Sequence, residues 1–203
     1  MARLTRWDAR LVLPEPDRVL ARAGCPPSAG RGLVRNAQAA LVILSERSGP
    51  AALSSTSSIE IRDDEAVHMG GIVLRSRDLA RMLKNSQKAT VFLVTLGGGP
   101  GESVQRLQEK GEHALAHMLD AAASAMVEKC AGLLQETLSG EMEDHGTSMR
   151  YAPGYGDLGL ECQADILEFL QGSRLNVAFR RTSYMLEPTK STTGVMGWHR
   201  LGS

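Results

Sequence analysis

From residue 31 to residue 46 the apolar positions Leu33, Val34, Ala37, Ala40, Leu41 and Leu44 recur at steps of three and four. That is the period of a helix with one buried face, and Gly49-Pro50 stops it. The period then changes. Ser54 to Ser58 reads as a polar loop, Ile59-Glu60-Ile61 alternates, Asp63-Asp64-Glu65 turns, and residues 66–74 alternate again around Gly70-Gly71. This predicts a small antiparallel β region. Ser76 is placed to cap a helix running to about Lys84, with Leu79, Met82 and Leu83 on one side. Residues 89–96, Ala-Thr-Val-Phe-Leu-Val-Thr-Leu, make the strongest strand in the chain, continuously apolar as a strand covered on both faces would be.

The longest helical stretch runs from Glu112 to about Leu138, and its middle is Ala-rich and nearly free of charge, the mark of a helix with neighbours around most of it. Asp120, Ser124 and Glu128 fall at i, i+4 and i+8, so they form one polar stripe. Gly140 ends this helix. A further helix is expected over residues 160–170, β segments at 176–179 and 183–186, and a loop of Pro188, Lys190, Ser191, Thr192 and Thr193 leading into a strand from Gly194 to Trp198. Residues 1–30 are rich in Pro and Gly (Pro14, Pro16, Gly24, Pro26, Pro27, Gly30) around a short helical candidate at 17–23. They read as an N-terminal segment that embraces the main body, residues 31–203. Helices and strands mix without a βαβα alternation, so the class is α+β.

Composition narrows the function. Among 203 residues, 23 Lys and Arg balance 23 Asp and Glu. A neutral chain has no general attraction to phosphates, which argues against nucleic-acid coating or a polybasic membrane binder. The total hides a segregation: residues 1–50 hold eight basic and four acidic side chains, and residues 101–150 four and nine. No apolar run reaches eighteen residues and the start lacks the apolar stretch of a secretory signal, so no membrane partner and a cytoplasmic location are expected. Cys25, Cys130 and Cys162 are odd in number and widely spaced, which reads as free thiols, with no metal site. His113 and His117 share a helix face without a Glu after the first or a placed third ligand, so a solvated face is the expectation.

Three constellations carry candidate chemistry. Gly97-Gly98-Gly99-Pro100-Gly101 lies between a strand and a helix, where backbone N–H groups can meet an anion, but it lacks the P-loop Lys and a clean G-x-G-x-x-G spacing. A tight strand-to-helix turn is the simpler reading. An unpaired acid on an Ala-rich helix is costly, so Asp120 and Glu128 should face a cation such as Arg150 or Lys190, a backbone N–H, or a polar ligand. Arg150-Tyr-Ala-Pro153-Gly154-Tyr155 sets a cation and an aromatic face at fixed ends of a turn, able to clamp a carboxylate beside an apolar or heterocyclic group.

The order Thr95-Leu96-Gly97, the helix with Asp120, Ser124 and Glu128, then Arg150-x-x-Pro153-Gly154-Tyr155 and Pro188-x-Lys190-Ser191-x-x-Gly194 resembles the activation (reactivation) domain of cobalamin-dependent methionine synthase, in its stand-alone form, over roughly residues 31–198. The resemblance implies a curved, mainly antiparallel sheet with flanking helices. It also implies an accessory role: binding S-adenosylmethionine and supporting reductive methylation of cob(II)alamin on a partner corrinoid protein or truncated methionine synthase, with flavodoxin or another reductase as electron donor. The chain itself would then hold no catalytic nucleophile or base. Carried over by motif, Arg150 holds the methionine end of the ligand, Pro153, Gly154 and Tyr155 form the turn beside it, and Glu143 or Asp144 receives the amino or sulfonium side.

One departure stands out. Where the family's full-length enzymes carry a Trp-Tyr-Phe-like group, this chain has Val195, Met196 and Gly197, a loss of stacking and cation–π attraction worth about 0.5–2 kcal/mol. Met196 keeps a soft apolar surface, and Trp198 shares its face if the segment is a strand. Two alternatives follow: a cofactor-free docking module for a corrinoid methyltransferase, and a small self-contained S-adenosylmethionine-dependent methyltransferase using the glycine run.

Overall fold

In the computed structural model residues 2–26 and 28–201 are described; Met1, Pro27, Gly202 and Ser203 lie outside them. The elements in order are β1 (Arg3–Arg6), α1 (Pro16–Arg22), α2 (Arg31–Arg47), β2 (Ala51–Arg62), β3 (Ala66–Met69), β4 (Ile72–Arg75), α3 (Arg77–Leu83), β5 (Lys88–Thr95), α4 (Gly99–Glu109), α5 (His113–Glu141), β6 (His145–Thr147), α6 (Cys162–Leu170), β7 (Ala178–Arg180), β8 (Met185–Glu187) and β9 (Ser191–Arg200). Seven strands form one sheet in the order β4-β3-β2-β5-β9-β6, with β1 also paired to β2, and β7-β8 form a separate hairpin. Every pairing among the described strands is antiparallel, so the α+β reading with helices flanking an antiparallel sheet holds.

The sheet is covered on both faces, which is why β5 reads as a continuous apolar run. One face, with Ala52, Phe92, Val94, Met196 and Trp198, packs on α1, α2 and α5. The other, with Leu53, Val91, Leu93 and Val195, packs on α3, α6 and the β8 residue Leu186. The Ala-rich middle of α5 is buried through Ala122, Ala123, Met126, Cys130 and Ala131, because α1, α2 and the sheet surround it. Ser76 caps α3 as its position predicts, its Oγ accepting from Leu79 N at 2.9 Å.

Some expectations are corrected. Ser54 to Ser58 is strand, not loop: these residues pair with Phe92, Val91, Thr90, Ala89 and Lys88 in the middle of the sheet. Ser191, Thr192 and Thr193 belong to β9 and pair with Thr95, Val94 and Leu93. The N-terminal segment supplies β1, which lies along Ala51 to Ser54, and Arg3 is clasped to Glu141 at 2.6 Å, so the basic front meets the acidic end of α5. No described helix is long and apolar enough to cross a membrane.

The glycine run is a packing device. Pro100 sits in the first turn of α4, and a Cβ on Gly99 would overlap the carbonyl oxygen of Arg47 at the end of α2. That contact seats the start of α4 against the end of α2, while Gly97 takes the turn with φ of +77°. Gly99→Ala is therefore expected to destabilise the fold by about 1–3 kcal/mol through overpacking, read as a lowered midpoint in thermal or urea unfolding.

Candidate functional site

The site begins with strand register. Thr147 pairs with Trp198 and Tyr151 bridges to Val195, so residues 148–150 stand opposite only positions 196 and 197. That one extra residue is a β-bulge, and it reverses the alternation of the chain. Without it Arg150 would lie on the face of Val195, toward α6; with it, the side chain turns toward α5. There the Arg150 Nη1 donates to Gln135 Oε1 at 2.8 Å, and Nη2 stands 3.6 Å from Glu128 Oε2. The Arg150 side chain keeps 30% of its surface exposed.

Beyond Arg150 the chain makes the predicted turn. Gly154 and Gly156 have φ of +90° and +51°, values that favour glycine. Gly154 N donates to Leu158 O at 2.7 Å, and the Tyr151 hydroxyl to Tyr155 O at 3.0 Å, with the two rings edge to face at 6.0 Å. Burial, then the charges of Asp78 and Asp157, push the Tyr151 phenol up, so it stays a donor. The turn is tied to α3 by Asp157, whose carboxylate accepts from Ser76 Oγ and from the backbone N of Arg77 at 2.8 Å. Those bonds, the Ser76 one first, hold the Asp157 carboxyl below its ordinary range.

A cavity of about 380 Å³ lies between this turn, α5 and β9, with Phe92, Glu128, Gln135, Arg150, Tyr155 and Thr192 in its wall. Phe92 reaches it because Gly194, its cross-strand partner, has no side chain: a Cβ there would come within 2.7 Å of the ring. A wider groove of about 900 Å³ continues between α1 and α5, past Arg18, Arg22 and Lys129, and Glu128, Arg150 and Tyr155 belong to both walls.

The polar stripe of α5 is satisfied by cations, as its structural reading required. Lys190 Nζ is 2.7 Å from Asp120 Oδ1 and donates to Ser124 Oγ at 2.9 Å, while Glu128 faces Arg150. The acids lie at the rim, their side chains about half exposed, and Lys190 is the buried member at 12%.

Other candidate residues fall elsewhere. Ser191 turns to Thr95, hydroxyl to hydroxyl at 2.8 Å, away from the cavity. Glu143 and Asp144 precede β6 at the opposite end of that edge, roughly 20 Å of extended chain from Arg150 at about 3.3 Å per residue, and Asp144 O accepts from Leu201 N. Met196 is sealed in the α5-side core, and a Cβ on Gly197 would overlap Leu83 and Ser86. Trp198 does share the face of Met196, but that face is core. The rings beside Arg150 are instead Phe92 and Tyr155.

Sequence reasoning passed over Phe92 and Gln135. The signal for Gln135 was there: it follows Glu128 by three residues to Ala131 and four more, which keeps it on the same helix face. Burial pushes the Cys130 and Cys162 thiols up to about 12, so both stay protonated near neutrality. Among the described residues no three of His, Cys, Asp and Glu gather as a metal site.

Neither a family model nor a curated protein matches this chain by sequence. In structure it is similar to a crystal structure of the MetH reactivation domain bound to AdoHcy, with a TM-score of 0.73 and 14% identity, covering 100% of this chain and 80% of that one. The chain has the fold of that class of domain.

Two outcomes are expected. Asp120→Ala strands the buried Lys190 and should cost about 1–3 kcal/mol, more than Lys190→Met, which removes the charge and leaves a half-exposed acid; urea unfolding of both variants checks the order. Because its folded pKa is depressed, Asp157 contributes stability that is present above the ordinary carboxylate value, about 3.9, and lost as pH falls through its folded value. The gap in melting temperature between wild type and Asp157→Asn should be widest near pH 6–7 and close below pH 4.

Proposed function

We propose that this chain is an accessory domain that binds S-adenosylmethionine and presents it to a partner corrinoid protein, such as a methionine synthase lacking its own reactivation domain, to restore the methylated cofactor from cob(II)alamin with an electron from flavodoxin or another reductase. The observation that carries this reading is Arg150. Its guanidinium is delivered by the bulge onto the wall of a cavity of about 380 Å³, within the range of small-molecule sites. The likeness in fold to a domain captured with AdoHcy gives it independent support.

The residues around the cavity suit a zwitterionic amino acid joined to a flat heterocycle. Arg150 is placed to take a carboxylate, Glu128 an ammonium or the positive sulfonium, and Phe92 and Tyr155 an aromatic ring. Such a ligand supplies an electrophilic methyl group on sulfur; the protein need only hold it, orient it and leave one side open. Half-exposed Tyr155 and exposed Met149 border that open side, where a partner would approach. No nucleophile of this chain is called on.

Calorimetric titration of S-adenosylmethionine is expected to show saturable binding by the wild type, weakened at least tenfold in Arg150→Ala. Affinity unchanged in Arg150→Ala defeats the assignment. A wild type that binds no S-adenosylmethionine yet still binds a cobalamin-loaded corrinoid protein would favour the docking module instead.

A further inference from the structure

Arg150 does not make its shortest bond to the carboxylate beside it. Glu128 stays at 3.6 Å, beyond hydrogen-bond length, while the neutral amide oxygen of Gln135 accepts from Nη1 at 2.8 Å. The other end of the same amide is fixed just as firmly. Gln135 Nε2 donates to Thr147 Oγ1 at 3.0 Å and to Ser148 O at 3.1 Å, the two residues that open the bulge. Flipping the amide would set its NH2 against a guanidinium and its oxygen against a carbonyl, so the chemistry admits one orientation. Ser148 closes the bulge from its far side, its N donating to Gly197 O at 2.9 Å and its Oγ accepting from Gly197 N at 2.8 Å.

From this we infer that Gln135 is the positioning residue for carboxylate recognition: one amide reads the bulge at its NH2 end and aims Arg150 at its oxygen end, without neutralising the charge. Among the described residues it is the one hydrogen-bond acceptor Arg150 meets, which leaves the remaining guanidinium N–H groups for an anion. A carboxylate at 135 would set one oxygen against Ser148 O and its charge against the guanidinium, competing with the ligand. The inference rests on the S-adenosylmethionine reading for its ligand, and on the protein alone for its geometry.

Two measurements on the full chain separate those layers. The first compares affinity for S-adenosylmethionine with that for its decarboxylated form. Wild type should prefer the carboxylate-bearing ligand; Gln135→Met should weaken that ligand about tenfold and leave the decarboxylated one unchanged; isosteric Gln135→Glu should weaken it further. The second follows the Arg150 guanidinium nitrogens by NMR without ligand. Their protons should exchange slowly in wild type and broaden in Gln135→Met, with melting temperatures matched to exclude general loosening. A Gln135→Met protein that keeps both the ligand preference and sharp Arg150 signals overturns the inference. Wild type binding neither ligand, with the Arg150 signals still dependent on Gln135, would sink the ligand reading and leave the positioning role standing.

Discussion

The indole of Trp198 is fully buried and donates from Nε1 to Thr90 Oγ1 at 2.8 Å, and the Thr90 hydroxyl meets Thr56 Oγ1 at 2.6 Å. This chain of polar groups crosses β9, β5 and β2 on the face under α5. Leaving a buried indole N–H unpaired costs about 1–3 kcal/mol, and a one-residue slip of β9 would send Met196 and Trp198 to the wrong face together. The ladder therefore adds a specific polar pairing to the apolar packing of both faces, and the two together choose one register for the three central strands.

Everything at the site is counted from that register. With Trp198 opposite Thr147, the extra residue before Tyr151 must bulge, and the bulge turns Arg150 toward α5. With Phe92 opposite Gly194, the ring has space to lean into the cavity. Site and core are thus one construction. The absence of an aromatic group at 195–197 follows too: those positions are filled by the core on one side and by α3 on the other.

How much of this the chain disclosed depended on whether a signal was local. The periods of α2, α5 and β5 are properties of contiguous residues, and they predicted those elements closely. The Arg-x-x-Pro-Gly-Tyr turn was legible because Gly154 needs its positive φ locally. The polar run Ser54 to Ser58 was not, since its strand character comes from pairing with β5, from Lys88 to Phe92, far along the chain. Nor were β1 and β6, short strands whose pairing partners lie far along the chain. That Arg150 turns toward α5 was legible only through the need of Glu128 for a cation; the bulge that turns it was not, because a bulge is a mismatch between two strands and neither strand carries it alone.

Electrostatics explains why the arrangement combines charge with neutrality. Along α5, Lys190 is nearly buried and is held by an acid and a hydroxyl, a cation spent on attaching the helix to the start of β9. Farther along, Arg150 is a third exposed, held closely by an amide and only loosely by an acid. A guanidinium in a bidentate pair with Glu128 would offer an incoming carboxylate little, because the pair would have to break first. Held by Gln135, it gives up no charge, and under the proposed function Glu128 would stay within reach of the ligand's positive group. Lys190 ties the fold together at one end of the helix face, and Arg150 at the other is the less neutralised of the two cations, as the proposed function needs.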